Sequence, residues 1–125
     1  MEILGKLDTE IFRCVAPDVV TDEVIITDER IRHIQEHHPG DYERYSQYMR
    51  IMVEAPQYIL RDSTPNTAVI LQEFSDGSDH FRLILRLAIE EEGKFKKNTV
   101  ITFLRISGKT FLKYLRNKNI LYKSE

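Results

Sequence analysis

The chain of 125 residues contains one cysteine, Cys14, so an internal disulfide is excluded. That usage suits a reducing compartment, and a cytoplasmic location is expected. No apolar run approaches the ~20 residues that a membrane helix requires. Repeats and low-complexity tracts are missing too. The opening "MEILGKLDTE" is acidic and interrupted, which does not read as a secretory signal peptide. Acids, in turn, are scarce at the far end. From Gly93 onward nine Lys/Arg face one acid, Glu125, a balance of +8. Since the whole chain carries −2, the first 92 residues carry −10. Such asymmetry raises the question of an anionic partner for the basic part. Pairing of the two halves across one folded surface is the plain alternative.

With 42% hydrophobic and 30% charged residues, the chain reads as one globular domain, 1–125, with a core of its own. In the first 20 residues "EIL" and "EIFRCV" offer short apolar runs, so 1–21 is expected as an N-terminal extension or as edge strands. "EVIIT" (23–27) is β-branched and predicts a short strand. Thr27 then caps a helix to about His38, with Asp28 and Glu29 complementing its dipole and Pro39-Gly40 ending it. A second helix is expected over 41–55, because Tyr45, Tyr48, Met49 and Met52 form one core-facing stripe. Four strands follow: "QYILRD" (57–62), "TAVILQEF" (67–74), "HFRLILRLAIE" (80–90) and "NTVITFLRIS" (98–107). The turns "STPN", "SDGSD" and "EEGKFKK" divide them, and such short connections predict antiparallel pairing.

In the third strand Phe81, Leu83, Leu85, Leu87 and Ile89 share one face. His80, Arg82, Ile84, Arg86 and Ala88 share the other. Ser107 caps a last helix to about Arg116. There Lys109, Lys113 and Arg116 form a basic stripe opposite Phe111, Leu112, Tyr114 and Leu115. "ILYK" returns as a strand or packs over the sheet. The expected fold class is α+β: N-terminal helices packed on a four-stranded antiparallel sheet, with a short basic C-terminal helix.

"RIRHIQEHHPG" (30–40) holds three of the four histidines. His33-Ile-Gln-Glu36-His37 spells H-x-x-E-H, the pattern of a zinc helix in inverted zincins. A catalytic zinc also needs a third protein ligand from another element. Glu43, Glu54 and His80 are the candidates, and none belongs to a second motif. No metal and no other cofactor is therefore expected. On the helical wheel Ile31, Ile34 and His38 share an arc, next to one with Arg30, His33 and His37. His38 reads as half-buried at the helix end; His33 and His37 read as surface groups. Imidazoles at a helix end, arginines on a sheet face, and the hydroxyls and lysines of "ITFLRISGKTFLKYL" suit metal-independent RNA cleavage if they converge. A histidine that moves the ribose 2′-OH proton contributes roughly 10²–10⁴-fold. Arg or Lys stabilises the charge on the phosphate, and Tyr or Thr positions the phosphate or a base.

Three stretches carry a resemblance: "VIITDERIRHIQEHHPGDYERY", "EAPQYILRDSTPNTAVIL" and "VITFLRISGKTFLKYLRNKNILYK". With their H-I-x-x-x-H-P helix, x-P-x-x-I helix exit and late "viT" strand before a basic segment ending "LYK", they resemble the phage-associated branch of the barnase–EndoU–colicin–RelE nuclease superfamily. The resemblance spans about 22–123. It implies helices packed on a four-stranded antiparallel sheet. It also implies an endoribonuclease of a kind deployed as a toxin or by phages and mobile elements. By position His33 and His38 match the helical motif and Thr102 the "viT" strand. These three are the candidate catalytic residues, with His33 leading.

His37, Arg82, Arg105, Lys109, Lys113, Tyr114 and Arg116 are the candidate substrate contacts. The expected partners are RNA, with tRNA and ribosome-bound mRNA among the options, and an antitoxin or immunity protein; no membrane is expected. The acidic first 92 residues depart from the usual balance of an RNA binder. A non-catalytic RNA-binding or toxin-related interaction module is the competing reading. It would use the basic stripe without the histidines, and salt-sensitive binding without product would mark it.

Overall fold

The computed structural model describes residues 1–90 and 97–124. Its elements run β1 (Glu2–Lys6), α1 (Thr9–Phe12), β2 (Glu23–Ile26), α2 (Asp28–His37), α3 (Asp41–Glu54), β3 (Tyr58–Arg61) and β4 (Thr67–Phe74). Then come β5 (Asp79–Arg86), β6 (Asn98–Ile106), α4 (Gly108–Asn117) and β7 (Ile120–Lys123). Thr27 and Ser107 cap α2 and α4 by accepting from the backbone N–H of Arg30 and Thr110. The expected "EEGKFKK" turn falls, apart from Lys97, outside the described residues.

Among the described residues one sheet runs β1-β2-β6-β5-β4-β3-β7. Its β2–β6 pair is parallel and the other neighbours are antiparallel. The expected fold class is thereby corrected. The sheet has seven strands and is mixed, where four antiparallel strands were expected, and a strand precedes the helices. The four expected strands are its β3–β6 portion. β1 and β2 cover one edge of that portion, and "ILYK" covers the other as β7, satisfying backbone groups that an edge leaves open. "EIFRCV" is no strand: Asp8 accepts from the Glu10 N–H and starts the short helix α1, which buries Phe12. β5 stops at Arg86, and beyond it Ile89 makes an isolated bridge to Val19.

The parallel join depends on a buried amide. Asn98 is 0% exposed, and its Oδ1 accepts from the Ala88 N–H at 2.8 Å. Its Nδ2 donates to the carbonyls of Thr21 and Glu23 at 2.8 and 2.9 Å. One side chain thus binds the start of β6 to β2 and to the strand end after β5. Outside, Lys97 pairs with Glu23, and that hydrogen bond and charge hold the Glu23 carboxyl below its usual range.

Helices cover both faces of the sheet. Ile34 of α2 and Tyr45, Met49, Met52 and Val53 of α3 join Phe81, Leu83, Leu85 and Phe103 in the main core. On the other face Phe111 of α4 packs with Leu60, Val69 and Leu71, and Ile84, Tyr114 and Leu115 pack against them. The strand alternation of β5 decides which residue meets which layer. Glu54 of α3 lies against Gly5 of β1, while Tyr48 of α3 stacks on Phe74 of β4 at 3.9 Å, three intervening strands away.

Gly5 has φ +150, and a Cβ there would sit 2.7 Å from Glu54 Oε2. In Gly5→Ala the Glu54 carboxylate can swing aside, so the backbone strain at positive φ is the cost. The change is expected to destabilise by more than about 1 kcal/mol. Urea unfolding checks this; an unchanged midpoint would show that the bulge in β1 tolerates a side chain.

Candidate nucleic-acid interface

α2 presents its histidines outward. His33 and His37 stack with ring centroids 4.1 Å apart, and His37 Nδ1 donates to the His33 carbonyl at 3.0 Å. In the neutral ring His37 Nε2 is then the free acceptor. Both residues are exposed, whereas His38 is half-buried and closes the helix through its N–H to the Ile34 carbonyl. His33 lines an open cleft of about 290 Å³ with Glu29, Arg30, Arg32 and Glu36. The candidate third ligands for a metal stand elsewhere. Glu43 accepts from Gln35, Glu54 pairs with Arg50, and His80 is on the other side of the sheet. Among the described residues no three such side chains gather as a ligand set.

The α4 side is different in kind. Arg82 reaches Tyr114 of α4, donating from Nη1 to the hydroxyl, with the guanidinium 5.8 Å from the ring centroid. Its Nε is buried without a hydrogen-bond partner. Among the described residues no carboxylate pairs with it. A half-buried guanidinium that lacks an anion carries a desolvation cost, and a phosphate is a natural complement to its forked donors. Tyr114 also lines a hollow of about 330 Å³ with Thr110, Lys113, Asn117 and Lys118. Lys109, Lys113 and Arg116 are exposed along α4, which has no acid. Thr102 pairs with Ile84 in the sheet and so shares the α4 side, half-exposed. Arg105 stands at the end of β6, bonded to Asp79 at 2.7 Å, with its guanidinium 5.9 Å from the Tyr45 ring.

The structure therefore gathers Arg82, Thr102, Lys109, Lys113, Tyr114 and Arg116 on the α4 side. It leaves His33, His37 and His38 on α2, whose Ile34 enters the core beneath the opposite face. The sheet stands between the two groups. Sequence reasoning did not assign Glu73 and His80 to this site. They face each other across the β4–β5 hairpin, and His80 lines a cleft at the N-terminal end of α4. The turn "SDGSD" was the signal: centring a hairpin on its Asp76-Gly77 pair brings Glu73 opposite His80.

Comparison with known proteins gives a nuclease family. The family model described as phage-Barnase-EndoU-ColicinE5/D-RelE like nuclease2 matches residues 1–123. No curated protein and no solved structure matches the chain.

Proposed function

The chain belongs to the phage-Barnase-EndoU-ColicinE5/D-RelE like nuclease2 family, and from that premise we propose that it is a metal-independent endoribonuclease whose α4 side holds the RNA backbone. One observation supports this above the rest: the buried, unpartnered Nε of Arg82 beside the Tyr114 hydroxyl. Arg82 takes a phosphate on this reading. Tyr114 orients the guanidinium, while Lys109, Lys113 and Arg116 follow neighbouring phosphates and Arg105 adds charge at the end of the sheet. Thr102 supplies a hydroxyl contact on the same reading. The 2′-hydroxyl of ribose supplies the nucleophile, so imidazole proton transfer and fixed positive charge suffice for cleavage. Use as a toxin or by a phage or mobile element, with an antitoxin or immunity protein as partner, belongs to the same proposal. Among the described residues no helix is long and apolar enough to cross a membrane.

Purified protein incubated with mixed cellular RNA is expected to give fragments equally with and without EDTA. The yield should fall as salt rises, because each phosphate contact releases counterions. Loss of activity with EDTA would overturn metal independence. Salt-sensitive binding without product would favour the interaction module. His33→Ala belongs in the same experiment. A folded variant that no longer cleaves assigns proton transfer to α2; one that cleaves leaves it with the α4 side.

A further inference from the structure

We propose that His80, oriented by Glu73 in the cleft it shares with Arg105, is the proton-transfer residue of the α4 side, acting on the 2′-hydroxyl of bound RNA. The inference rests on the endoribonuclease reading and adds to it the residue that does the chemistry. His80 stands two positions before Arg82 on β5, so strand alternation puts both on one face, roughly 7 Å apart. It is the histidine of that face.

The ring is fixed from three sides. Its Nε2 lies 3.6 Å from Glu73 Oε2, an electrostatic contact longer than a hydrogen bond. The Phe111 ring packs at 4.8 Å, tilted by 48°. Gly108 closes the third side, where a Cβ would come within 3.2 Å of His80 Cε1. Glu73 is itself held. Its Oε1 accepts from Gln57 Nε2 at 3.1 Å, and its N–H donates to Gln57 Oε1 at 2.8 Å. A carboxylate pinned beside Nε2 keeps a proton there, and Nδ1 is left as the accepting nitrogen. The side chain is 14% exposed, so it is reachable without being freely solvated. It lines a cleft of about 330 Å³ with Ser78, Arg105, Ile106, Ser107 and Gly108.

The 2′-oxygen attacks phosphorus, and its proton passes to His80 Nδ1. The O2′–P bond forms as P–O5′ breaks, leaving a 2′,3′-cyclic phosphate. The departing O5′ takes a proton from water, and the resulting hydroxide is neutralised by the proton on His80. Arg82 stabilises the charge on the non-bridging oxygens. Glu73 is a positioning residue, since it reaches the substrate only through the ring.

Two readouts test this together. The first is cleavage of mixed cellular RNA by the full chain. His80→Ala is expected to slow it by roughly 10²–10⁴-fold. Glu73→Gln, which keeps the Gln57 contacts, should lower kcat with KM unchanged, and Gly108→Ala should lower kcat by displacing the ring. The second readout is the His80 ring resonance in NMR, followed as a 2′-O-methyl RNA oligonucleotide is added; the methylated ribose blocks cleavage. The resonance is expected to shift on binding. If folded His80→Ala cleaves as fast as wild type, or the oligonucleotide binds without moving that resonance, His80 is not the proton-transfer residue while the endoribonuclease reading stands. If wild-type protein neither binds the oligonucleotide nor cuts RNA, that reading fails, and this inference with it.

Discussion

Arg82→Met is expected to remove cleavage while making the protein no less stable. Methionine keeps the apolar stem against Tyr114 and loses the charge. In the folded chain the guanidinium has a neutral hydroxyl as its hydrogen-bond partner and a buried Nε with none. An unsatisfied buried donor costs about 1–3 kcal/mol, more for a charged group. Removing it therefore offsets the lost Tyr114 contact, and Tm should hold or rise by a few degrees. Activity should fall about 10²–10³-fold, the usual loss when one fixed donor to a developing anion is deleted. Cleavage assays and thermal unfolding of the same preparation separate the two effects. A variant that is both inactive and much less stable would make Arg82 a structural residue, and an active one would remove it from the site.

Phe81→Ala should produce the largest loss of stability. Phe81 is fully buried on β5. Its ring contacts four others: Tyr45 at 4.9 Å, Tyr48 at 5.3 Å, Phe103 at 5.3 Å and Phe74 at 5.7 Å. These come from α3, β4 and β6, so the ring joins the helix to three adjacent strands. Truncating a buried Phe costs about 3–5 kcal/mol, a large share of the ~5–15 kcal/mol that holds a domain together. A urea midpoint shifted by that amount is expected. The site should suffer as well, because His80 and Arg82 are the chain neighbours of Phe81. A loss below about 1 kcal/mol would mean that the aromatic cluster closes over the gap.

Local pattern made some of this legible. β4 lies over 67–74 as its apolar run and flanking turns required, and both expected side-chain caps, Thr27 and Ser107, are found. The split of β5 into an apolar face and a face with His80 and Arg82 also follows from period two alone. What local pattern does not contain is pairing between distant segments. β2 meets β6 across more than 70 residues, and "ILYK" closes the far edge, so the sheet's width and its parallel join were out of reach. α1 misled because four apolar residues in six fit a ribbon as well as a helical turn, and the deciding Asp8 cap precedes them. The site was half legible for the same reason. Composition identified the arginines, lysines and histidines, but the layer that each helix occupies depends on how the chain crosses the sheet. That crossing separates His33 from Arg82 and brings Glu73 beside His80.

The parallel join between β2 and β6 also sets a schedule. At ~5–20 residues per second of synthesis, β6 follows β2 by roughly 4–15 seconds. Until then Asn98 cannot reach the Thr21 and Glu23 carbonyls, and the first two strands have no sheet to join. Arg105 and α4 emerge later still. A nascent chain therefore spends most of its synthesis without the α4 side.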